Sequence, residues 1–518
     1  MAKQRHVWGT RLGIIMAVAG SAIGLGNFLR FPVQAASNGG GAFMIPYFIA
    51  LFLLGIPLMW IEWALGRYGG GFGHGTAPGI FHTMWEKNRF IKYFGVIGIF
   101  GPLVIFIYYT YIESWTLAYS FFTLTGKYSG AASQGTMQSF LRGYQGMENN
   151  QFFSGMSTAY IFFIITFLAN ISVIYYGIKG GIEKLCRIAM PLLLACGIIL
   201  MVRVLTLGMP DPSKPSWNLM NGLGFLWNPD FSALLSAKVW LAAAGQIFFT
   251  LSVGIGVILT YASYLKKGDD VVLSGISAVS MNEFAEVILG GCIVIPAAFV
   301  FFGPQDIASV AQGGAFNLGF VTMPLIFQKL FMGAFFGCIW FLLLFLAGIT
   351  SSVSLAQPAV AFLEDEFDIS REKAVSIFGV VSFVLCQPAV FLLARGVVNE
   401  LDFWGGTFCL VVFATVETIL FAWVFGMNKA WTEMHHGADM NIPKAYKFII
   451  KYITPLFLFL ILGFWMYQEG IPTILMKNVS DADKPYILGT RVFLVAIFIV
   501  LSVMVKMAWS RKKKRKAA

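Results

Sequence analysis

The feature that most constrains this chain is a cluster of glycines in the middle of its first long apolar stretch. Residues 20–32 read GSAIGLGNFLRFP and lie within an apolar run that starts near Arg11 and is long enough to cross a bilayer. A lipid-facing span needs a continuous helix, because a bilayer offers no water to unpaired N–H and C=O groups. Glycine lowers helix stability by about 1 kcal/mol relative to alanine and lets the backbone leave helical geometry. We therefore expect a helix that is interrupted at membrane depth and binds a ligand there.

A helix-packing face is the alternative for this stretch. Gly20 and Gly24 form the GxxxG pattern through which membrane helices approach closely. However, residues 245–256 read GQIFFTLSVGIG and again place Gly-x-Gly and small polar residues in the middle of an apolar span. Interrupted segments at corresponding positions in two halves of a chain are typical of transporter sites built on inverted repeats. The second interruption therefore favours a binding site over packing alone.

The composition indicates a membrane protein with many spans. Hydrophobic residues make up 58% of the 518 residues and charged residues only 12%, whereas soluble domains carry about 25% charged residues. At about 20 residues per span, we predict an all-α fold with twelve transmembrane helices, at 11–36, 41–67, 91–124, 157–177, 183–207, 237–264, 272–302, 331–364, 371–393, 400–425, 446–468 and 485–509.

The distribution of Lys and Arg predicts the orientation of these helices. Positive charge concentrates in alternate loops and in the tail at 510–518, so the net charge of +11 needs no nucleic-acid partner. Cytoplasmic loops carry such an excess, so we expect a multi-pass protein of the cell inner membrane with both termini in the cytoplasm and the basic tail near membrane lipid. The expected units are an N-terminal segment (1–10), a first repeat of helices 1–5 (11–207), an extracellular loop (208–236), a second repeat of helices 6–10 (237–425), and helices 11 and 12 (426–509).

The polar residues inside the predicted spans indicate the ligand. They are mostly neutral oxygen donors, and such groups usually line a cavity or pathway, although some could be interhelical hydrogen bonds of about 0.6 kcal/mol. Neutral oxygens favour a monovalent cation such as Na⁺ over Ca²⁺ or Mg²⁺. Half-helix N-termini suit a carboxylate and C-terminal carbonyls suit an ammonium group, so a zwitterionic amino acid matches the interruptions. The polar residues are Asn27, Thr250, Ser252, Asn282, Glu286 and Thr350 to Ser352.

The motifs resemble the neurotransmitter:sodium symporter family over residues 5–510. Besides the two glycine-rich segments, the resemblance rests on TYASY (260–264), NEFAEVILGG (282–291), AGITSS (347–352) and FLEDE (362–366). It implies the leucine-transporter fold, a five-plus-five inverted repeat in which helices 1 and 6 are broken mid-membrane. It also implies a sodium-coupled symporter of neutral aliphatic or larger hydrophobic L-amino acids that works by alternating access.

The resemblance further implies two sodium ions and no organic cofactor. The first ion would be bound by the substrate carboxylate and by Ala22, Asn27, Thr250 and Asn282. The second ion would be bound by Gly20, Ile23, Ala347, Thr350 and Ser351.

The substrate-binding residues implied by the family surround both interruptions. The amine would meet carbonyls and the Ser252 hydroxyl, and the carboxylate would meet the N–H groups of Leu25 and Gly26 and the hydroxyl of Tyr109 rather than Tyr108. The full expected set is Ser21, Ala22, Gly24, Leu25, Gly26, Ile105, Tyr109, Phe249, Thr250, Ser252, Ile255, Ser351 and Leu355.

Charged and aromatic residues at the two ends of this pathway are the implied gates. Arg30 and Asp402 would close the outer side together with Tyr109 and Phe249. The inner side would be closed by Arg5, Trp8, Ser263, Tyr264 and Asp365.

Glu286 leads us to expect chloride independence. Chloride-dependent relatives lack an acid at this position, and a carboxylate supplies the negative charge internally. Ile255 stands where leucine-transporting bacterial members have Phe, and Ser21 stands where they have Asn. An apolar pocket discriminates between side chains that differ by one methylene by only about 1–3 kcal/mol, so these substitutions do not identify the preferred amino acid. The sequence also does not determine whether protons are transported in the opposite direction.

Three other functions are weighed against a symporter. A channel needs a continuous filter, usually in an oligomer, whereas these polar groups come from several spans of one chain. An enzyme is not expected, because no HExxH, GxSxG or paired catalytic carboxylates accompany a nucleophile. A non-transporting amino-acid sensor on the same scaffold stays open, as does a homodimer.

Overall fold

The computed structural model describes residues 7–517, without the side chains of residues 306, 308–312 and 513–517. It is an all-α bundle. Its long helices are α1 Arg11–Ala22, α2 Leu25–Ser37, α3 Gly41–Gly70, α4 Ile91–Thr125, α5 Ser157–Tyr175, α6 Ile178–Leu205, α7 Ala237–Leu251, α8 Val257–Ala262, α9 Val272–Gln305, α10 Gly333–Phe367, α11 Arg371–Phe391, α12 Val397–Val424, α13 Ala445–Ile474 and α14 Lys484–Lys512. Shorter helices lie in the connections, among them Ala77–Met84, Gln134–Tyr144, Leu219–Trp227 and Met427–His435.

The helices account for the twelve predicted spans. Within the described residues, ten are long and apolar enough to cross a membrane alone. The pair α1 and α2, bent by 47° at its break, forms an eleventh. The twelfth is α7, which is apolar but short and continues beyond residues 252–256 as α8. The all-α prediction and the interruption of both glycine-rich helices are therefore confirmed.

The first interruption occupies Ile23 and Gly24. Both residues leave helical geometry, with ψ angles of 89° and −166°. The Gly24 N–H donates to Asn27 Oδ1 at 2.9 Å, so the Asn27 side chain caps the start of α2. Gly26 is needed for close approach, since a Cβ there would lie 2.4 Å from Cε1 of Phe249.

The second interruption relies on left-handed backbone. Ser252, Gly254 and Gly256 have φ angles of 53°, 74° and 87°, a conformation that glycine adopts freely but that strains serine by about 1–2 kcal/mol. The carboxylate of Glu62 on α3 stabilises it, because the Gly254 N–H donates to one oxygen at 2.5 Å and the Leu259 N–H to the other at 3.3 Å.

The two interruptions lie inside the bundle. Helix α10 packs along α4 and α6, and α1 packs against α6, α9 and α10. Ala22, Ile23 and Thr250 are consequently buried. Freed backbone groups at membrane depth are tolerated when they are enclosed by protein in this way.

Candidate binding site at the helix interruptions

A cavity of about 370 Å³ lies between the two interruptions. The residues predicted to bind the substrate all line it, except Thr250. The structure also adds wall residues that the sequence did not indicate, namely Ile112, Ser354, Gly406 and Leu410.

The α2 side of the cavity presents N–H groups and a tyrosine hydroxyl. The Leu25 N–H donates to the hydroxyl oxygen of Tyr109 at 3.2 Å. The neighbouring Tyr108 instead donates to Asp402 Oδ1 at 2.6 Å. Gly24 allows the backbone to lie close to Ser351 and Tyr109, because a Cβ there would lie 3.0 Å from Ser351 Oγ and 3.1 Å from the Tyr109 oxygen, closer than an ordinary contact. This geometry can accept a small anionic group.

The α1 side of the cavity presents carbonyl oxygens and hydroxyls. Ser252 Oγ donates to the Ser21 carbonyl at 2.9 Å, and Ser351 Oγ lies 3.2 Å from the same carbonyl and 3.3 Å from that of Gly20. The C-terminal end of a helix carries partial negative charge, so this side suits a cation or an ammonium group.

The remaining wall is mainly apolar. Ile105, Phe249, Ile255 and Leu355 line it together as predicted. One polar pair interrupts it, because Ser21 Oγ lies 2.7 Å from Ser354 Oγ. Ser354 Oγ also donates to the Ser351 carbonyl at 2.6 Å.

The side chains predicted for the first ion form one buried cluster. Asn27 Nδ2 lies 2.8 Å from Asn282 Oδ1 and 3.2 Å from Thr250 Oγ1, and Asn282 Nδ2 lies 2.9 Å from the same Thr250 oxygen. All three side chains are shielded from solvent. Their neutral oxygens and the freed backbone carbonyls are donors suited to a hard monovalent cation.

Glu286 adjoins this cluster and is fully buried. Thr250 Oγ1 donates to its carboxylate, and Gln246 Nε2 and the Tyr47 hydroxyl each lie 3.0 Å from Oε1. The Tyr47 hydroxyl also lies 2.8 Å from Glu283 Oε2. Tyr47, Gln246 and Glu283 were not among the predicted site residues.

The residues predicted for the second ion also come together. A Cβ on Gly20 would lie 3.1 Å from Cβ of Thr350, and Thr350 Oγ1 lies 3.2 Å from the Ala347 carbonyl. Ile23, with its non-helical ψ, completes the set at the end of α1. Among the side chains that the structure describes, no group of three His, Cys, Asp or Glu is arranged to hold a metal ion.

The cavity continues towards the predicted outer gate. Its wall extends to Val33, Gln34, Val398 and the exposed Asn399. The Arg30 guanidinium stacks 4.4 Å from the centre of the Phe249 ring. Among the ion pairs of the described residues there is none between Arg30 and Asp402, and Asp402 accepts from the Tyr108 hydroxyl.

The opposite end of the site is closed by packing. Trp8 Nε1 donates to the Tyr261 carbonyl at 2.9 Å, and Gln357 Nε2 donates to the Tyr264 hydroxyl at 2.9 Å. Ser263 Oγ donates to the Thr260 carbonyl at 2.7 Å. Asp365 lies at the end of α10 on the same side, and Arg5 lies outside the described residues.

Two buried acids that support the site were missed by the sequence analysis. Glu62 holds the second interruption, as described above. Glu113 on α4 accepts from Asn170 Nδ2 at 3.0 Å, and Asn170 Oδ1 accepts from the hydroxyl of Ser352, next to Ser351. Both acids lie in apolar spans, where ionisable residues are rare and usually functional. Their position in the sequence would therefore have been enough to include them among the candidate residues.

Known proteins similar to this chain are sodium-dependent transporters. A profile described as the Sodium:neurotransmitter symporter family matches residues 5–139 and 127–512. The "Uncharacterized sodium-dependent transporter MJ1319" of Methanocaldococcus jannaschii is 29% identical over 97% of this chain and 98% of that protein. The "Uncharacterized sodium-dependent transporter YhdH" of Bacillus subtilis is 30% identical over 88% of this chain and 97% of that protein. The crystal structure of MhsT in complex with L-phenylalanine matches with a TM-score of 0.75 at 30% identity, over 89% of this chain and 100% of that one.

Proposed function

The chain belongs to the sodium:neurotransmitter symporter family, and from that premise we propose that it is a sodium-coupled symporter of neutral hydrophobic L-amino acids. The family consists of multi-pass membrane transporters for small molecules rather than enzymes, which leaves the substrate, the ions and the direction of coupling to be inferred.

The observation that carries the proposal is the opposite polarity of the two cavity ends. Leu25, Gly26 and Tyr109 line the cavity at the start of α2, where the Leu25 N–H donates to the Tyr109 hydroxyl, and the carbonyls of Gly20 and Ser21 lie near the end of α1, next to Ser351 Oγ. A substrate that brings both a carboxylate and an ammonium group satisfies both ends at once. An amine without a carboxylate would leave the partial positive charge at the start of α2 without a negatively charged partner.

The apolar wall supports a hydrophobic side chain on this amino acid. Ile105, Ile255 and Leu355 offer no hydrogen-bonding groups, so burial of apolar surface supplies the affinity. The similar MhsT was crystallised with L-phenylalanine, which agrees with a pocket for aliphatic or larger hydrophobic residues.

Two sodium ions are proposed to drive transport. The cluster of Asn27, Thr250 and Asn282 would share the first ion with the substrate carboxylate, so the ion and the substrate would bind cooperatively. The second ion would join α1 to α10 through Gly20 and Thr350. Each charge that crosses the membrane contributes about 2.3 kcal/mol per 100 mV.

Chloride independence is proposed from Glu286. Its carboxyl group accepts from Thr250 and from Gln246, so an acid that would supply a negative charge when ionised lies beside the first ion cluster. A transporter without this acid would need a mobile anion there to balance the sodium charge.

We also propose the orientation and the gating. The basic loops place both termini in the cytoplasm, so the cavity would open outward through Arg30 and Asp402 while Trp8, Ser263, Tyr264, Asp365 and Arg5 close the inner side. The segments 11–207 and 237–425 would be inverted repeats that carry one interruption each. Transport would alternate between opening at the Arg30 end and opening at the Trp8 end.

Uptake into proteoliposomes tests the proposal. A panel of radiolabelled amino acids is offered with and without an inward Na⁺ gradient, and with chloride replaced by gluconate. We expect sodium-dependent accumulation of hydrophobic amino acids in both anions. Uptake that does not depend on the Na⁺ gradient, or the absence of uptake with every amino acid, would overturn the proposed symport. Loss of uptake when chloride is replaced by gluconate would overturn chloride independence alone.

A further inference from the structure

A second cavity, of about 620 Å³, lies between the start of α1 and the start of α6, away from the transport site. Its wall consists of Gly9, Thr10, Lys179, Glu183, Lys184, Arg187 and Ile188. We propose that this groove binds the phosphate-bearing headgroup of an anionic phospholipid of the surrounding bilayer.

Three cations converge on this groove. Lys179, Lys184 and Arg187 are all exposed, and within the described part of the chain no carboxylate lies in ion-pair distance of any of them. Some cations at the same end of the bundle are paired, as Arg67 is with Glu433 and Arg371 with Glu364. The groove instead brings together three cations that form no such pair.

The single acid of the groove offsets part of this positive charge but forms no ion pair with the three cations. Glu183 is buried, and its two oxygens accept hydrogen bonds from the Gly9 N–H at 2.7 Å and from the Thr10 hydroxyl at 2.9 Å. Its hydrogen-bonding capacity is used to hold the start of α1 against α6. The three cationic side chains remain available to an external anion.

The helix face beyond the cations points to a lipid rather than a free anion. Ile188 and Leu192 follow Lys184 at intervals of one helical turn, and they are 61% and 43% exposed. The exposed Tyr176 at the end of α5 is a residue type that concentrates at the headgroup level of membranes. A phospholipid can place its phosphate on the cations and an acyl chain along this apolar stripe, whereas inorganic phosphate uses only the cations.

Occupancy of the groove would affect the start of α1. Because Gly9 and Thr10 form part of its wall, a bound headgroup bridges α6 and the residues next to Trp8, which packs on Tyr261. The site thus couples the lipid to the segment that closes one end of the transport site.

Native mass spectrometry of the full-length protein in a nonionic detergent tests this inference. Phosphatidylglycerol and phosphatidylcholine with identical acyl chains are titrated against the wild type and against the triple variant Lys179→Gln, Lys184→Gln, Arg187→Gln. Since each surface cation near an anionic headgroup contributes about fivefold in affinity, we expect the variant to bind phosphatidylglycerol at least tenfold more weakly. Binding of phosphatidylcholine should not change.

A charge-matched control separates a site from general surface charge. The variant Lys266→Gln, Lys267→Gln, Lys429→Gln removes three exposed lysines from the same end of the bundle and should change phosphatidylglycerol affinity less than about twofold. Equal losses in both triple variants would overturn the proposal, as would unchanged binding in the first. Displacement of the lipid by millimolar inorganic phosphate would assign the groove to a free anion instead.

Two further measurements keep the test independent of folding and of transport. The variant Lys179→Arg, Lys184→Arg keeps the charges and should retain phosphatidylglycerol binding. The single variant Lys184→Gln should bind phosphatidylglycerol about fivefold more weakly than the wild type. Weak binding by the charge-conserving variant contradicts an electrostatic site. The assay needs no amino acid or sodium, so its failure would leave the proposed symport untouched.

Discussion

The hydroxyl group of Tyr109 offers the sharpest test of how the substrate carboxylate is held. This hydroxyl accepts the Leu25 N–H at 3.2 Å and borders the space beside Gly24. In the proposed complex it donates its proton to the carboxylate. A hydrogen bond to a charged group contributes about 1.5–3 kcal/mol, so Tyr109→Phe should raise the substrate Kd by about 10- to 150-fold.

The neighbouring tyrosine is a matched control for this change. Tyr108→Phe removes the same atom one residue earlier on α4, where the hydroxyl binds Asp402 at the mouth of the cavity. We expect this variant to change the substrate Kd by less than about threefold, because the lost bond does not touch the carboxylate space. Both variants are measured as sodium-dependent binding of a radiolabelled hydrophobic amino acid to the purified protein.

The sodium dependence adds a second readout. Without substrate, sodium affinity in Tyr109→Phe should equal that of the wild type, since Tyr109 is not part of either ion cluster. Bound substrate raises the affinity for sodium, and bound sodium raises the affinity for substrate by the same factor. We expect this shared factor to be smaller in Tyr109→Phe than in the wild type. A larger loss in Tyr108→Phe than in Tyr109→Phe would refute the placement of the carboxylate.

Three further predictions test other parts of the site. Asn27→Ala and Asn282→Ala should lower the affinities for sodium and substrate together, as measured by uptake at several Na⁺ concentrations; an unchanged sodium affinity removes that residue from the ion site. Glu286→Ser should make uptake depend on chloride, which is checked by replacing chloride with gluconate, and equal uptake in both anions contradicts the role given to this acid. Glu62→Ala removes the acceptor of two backbone N–H groups and should destabilise the protein by about 2–4 kcal/mol, which is measured as a lower midpoint of thermal unfolding. Glu62→Gln keeps one acceptor oxygen and should lower this midpoint less.

The parts of the fold that depend on local sequence were predictable. Gly24 and Gly26 mark the first interruption because glycine permits the close approach found there, and Gly254 and Gly256 mark the second because glycine adopts their positive φ angles freely. Helix existence likewise follows from apolar length. The exact pairing of distant residues does not follow from local patterns.

The contacts that stabilise the site illustrate this limit. Glu62 is far in sequence from Gly254, and nothing in either segment alone indicates that one binds the other. Arg30 and Asp402 were predicted as a gate from their charges, but the structure places Tyr108 on Asp402 and Arg30 on the Phe249 ring. These partners depend on how the helices pack.

The two interruptions differ in how their freed N–H groups are satisfied, which supports placing the proposed substrate carboxylate at the first. At the second, the freed N–H groups of Gly254 and Leu259 already bind a fixed carboxylate, Glu62. At the first, Leu25 binds only a neutral hydroxyl, and within residues 7–517 the Gly26 N–H donates to no protein acceptor. The partial positive charge at the start of α2 is thus left for a ligand to compensate. In the proposed complex the carboxylate of the amino acid compensates this charge, whereas a fixed acid at the first interruption would remove that requirement.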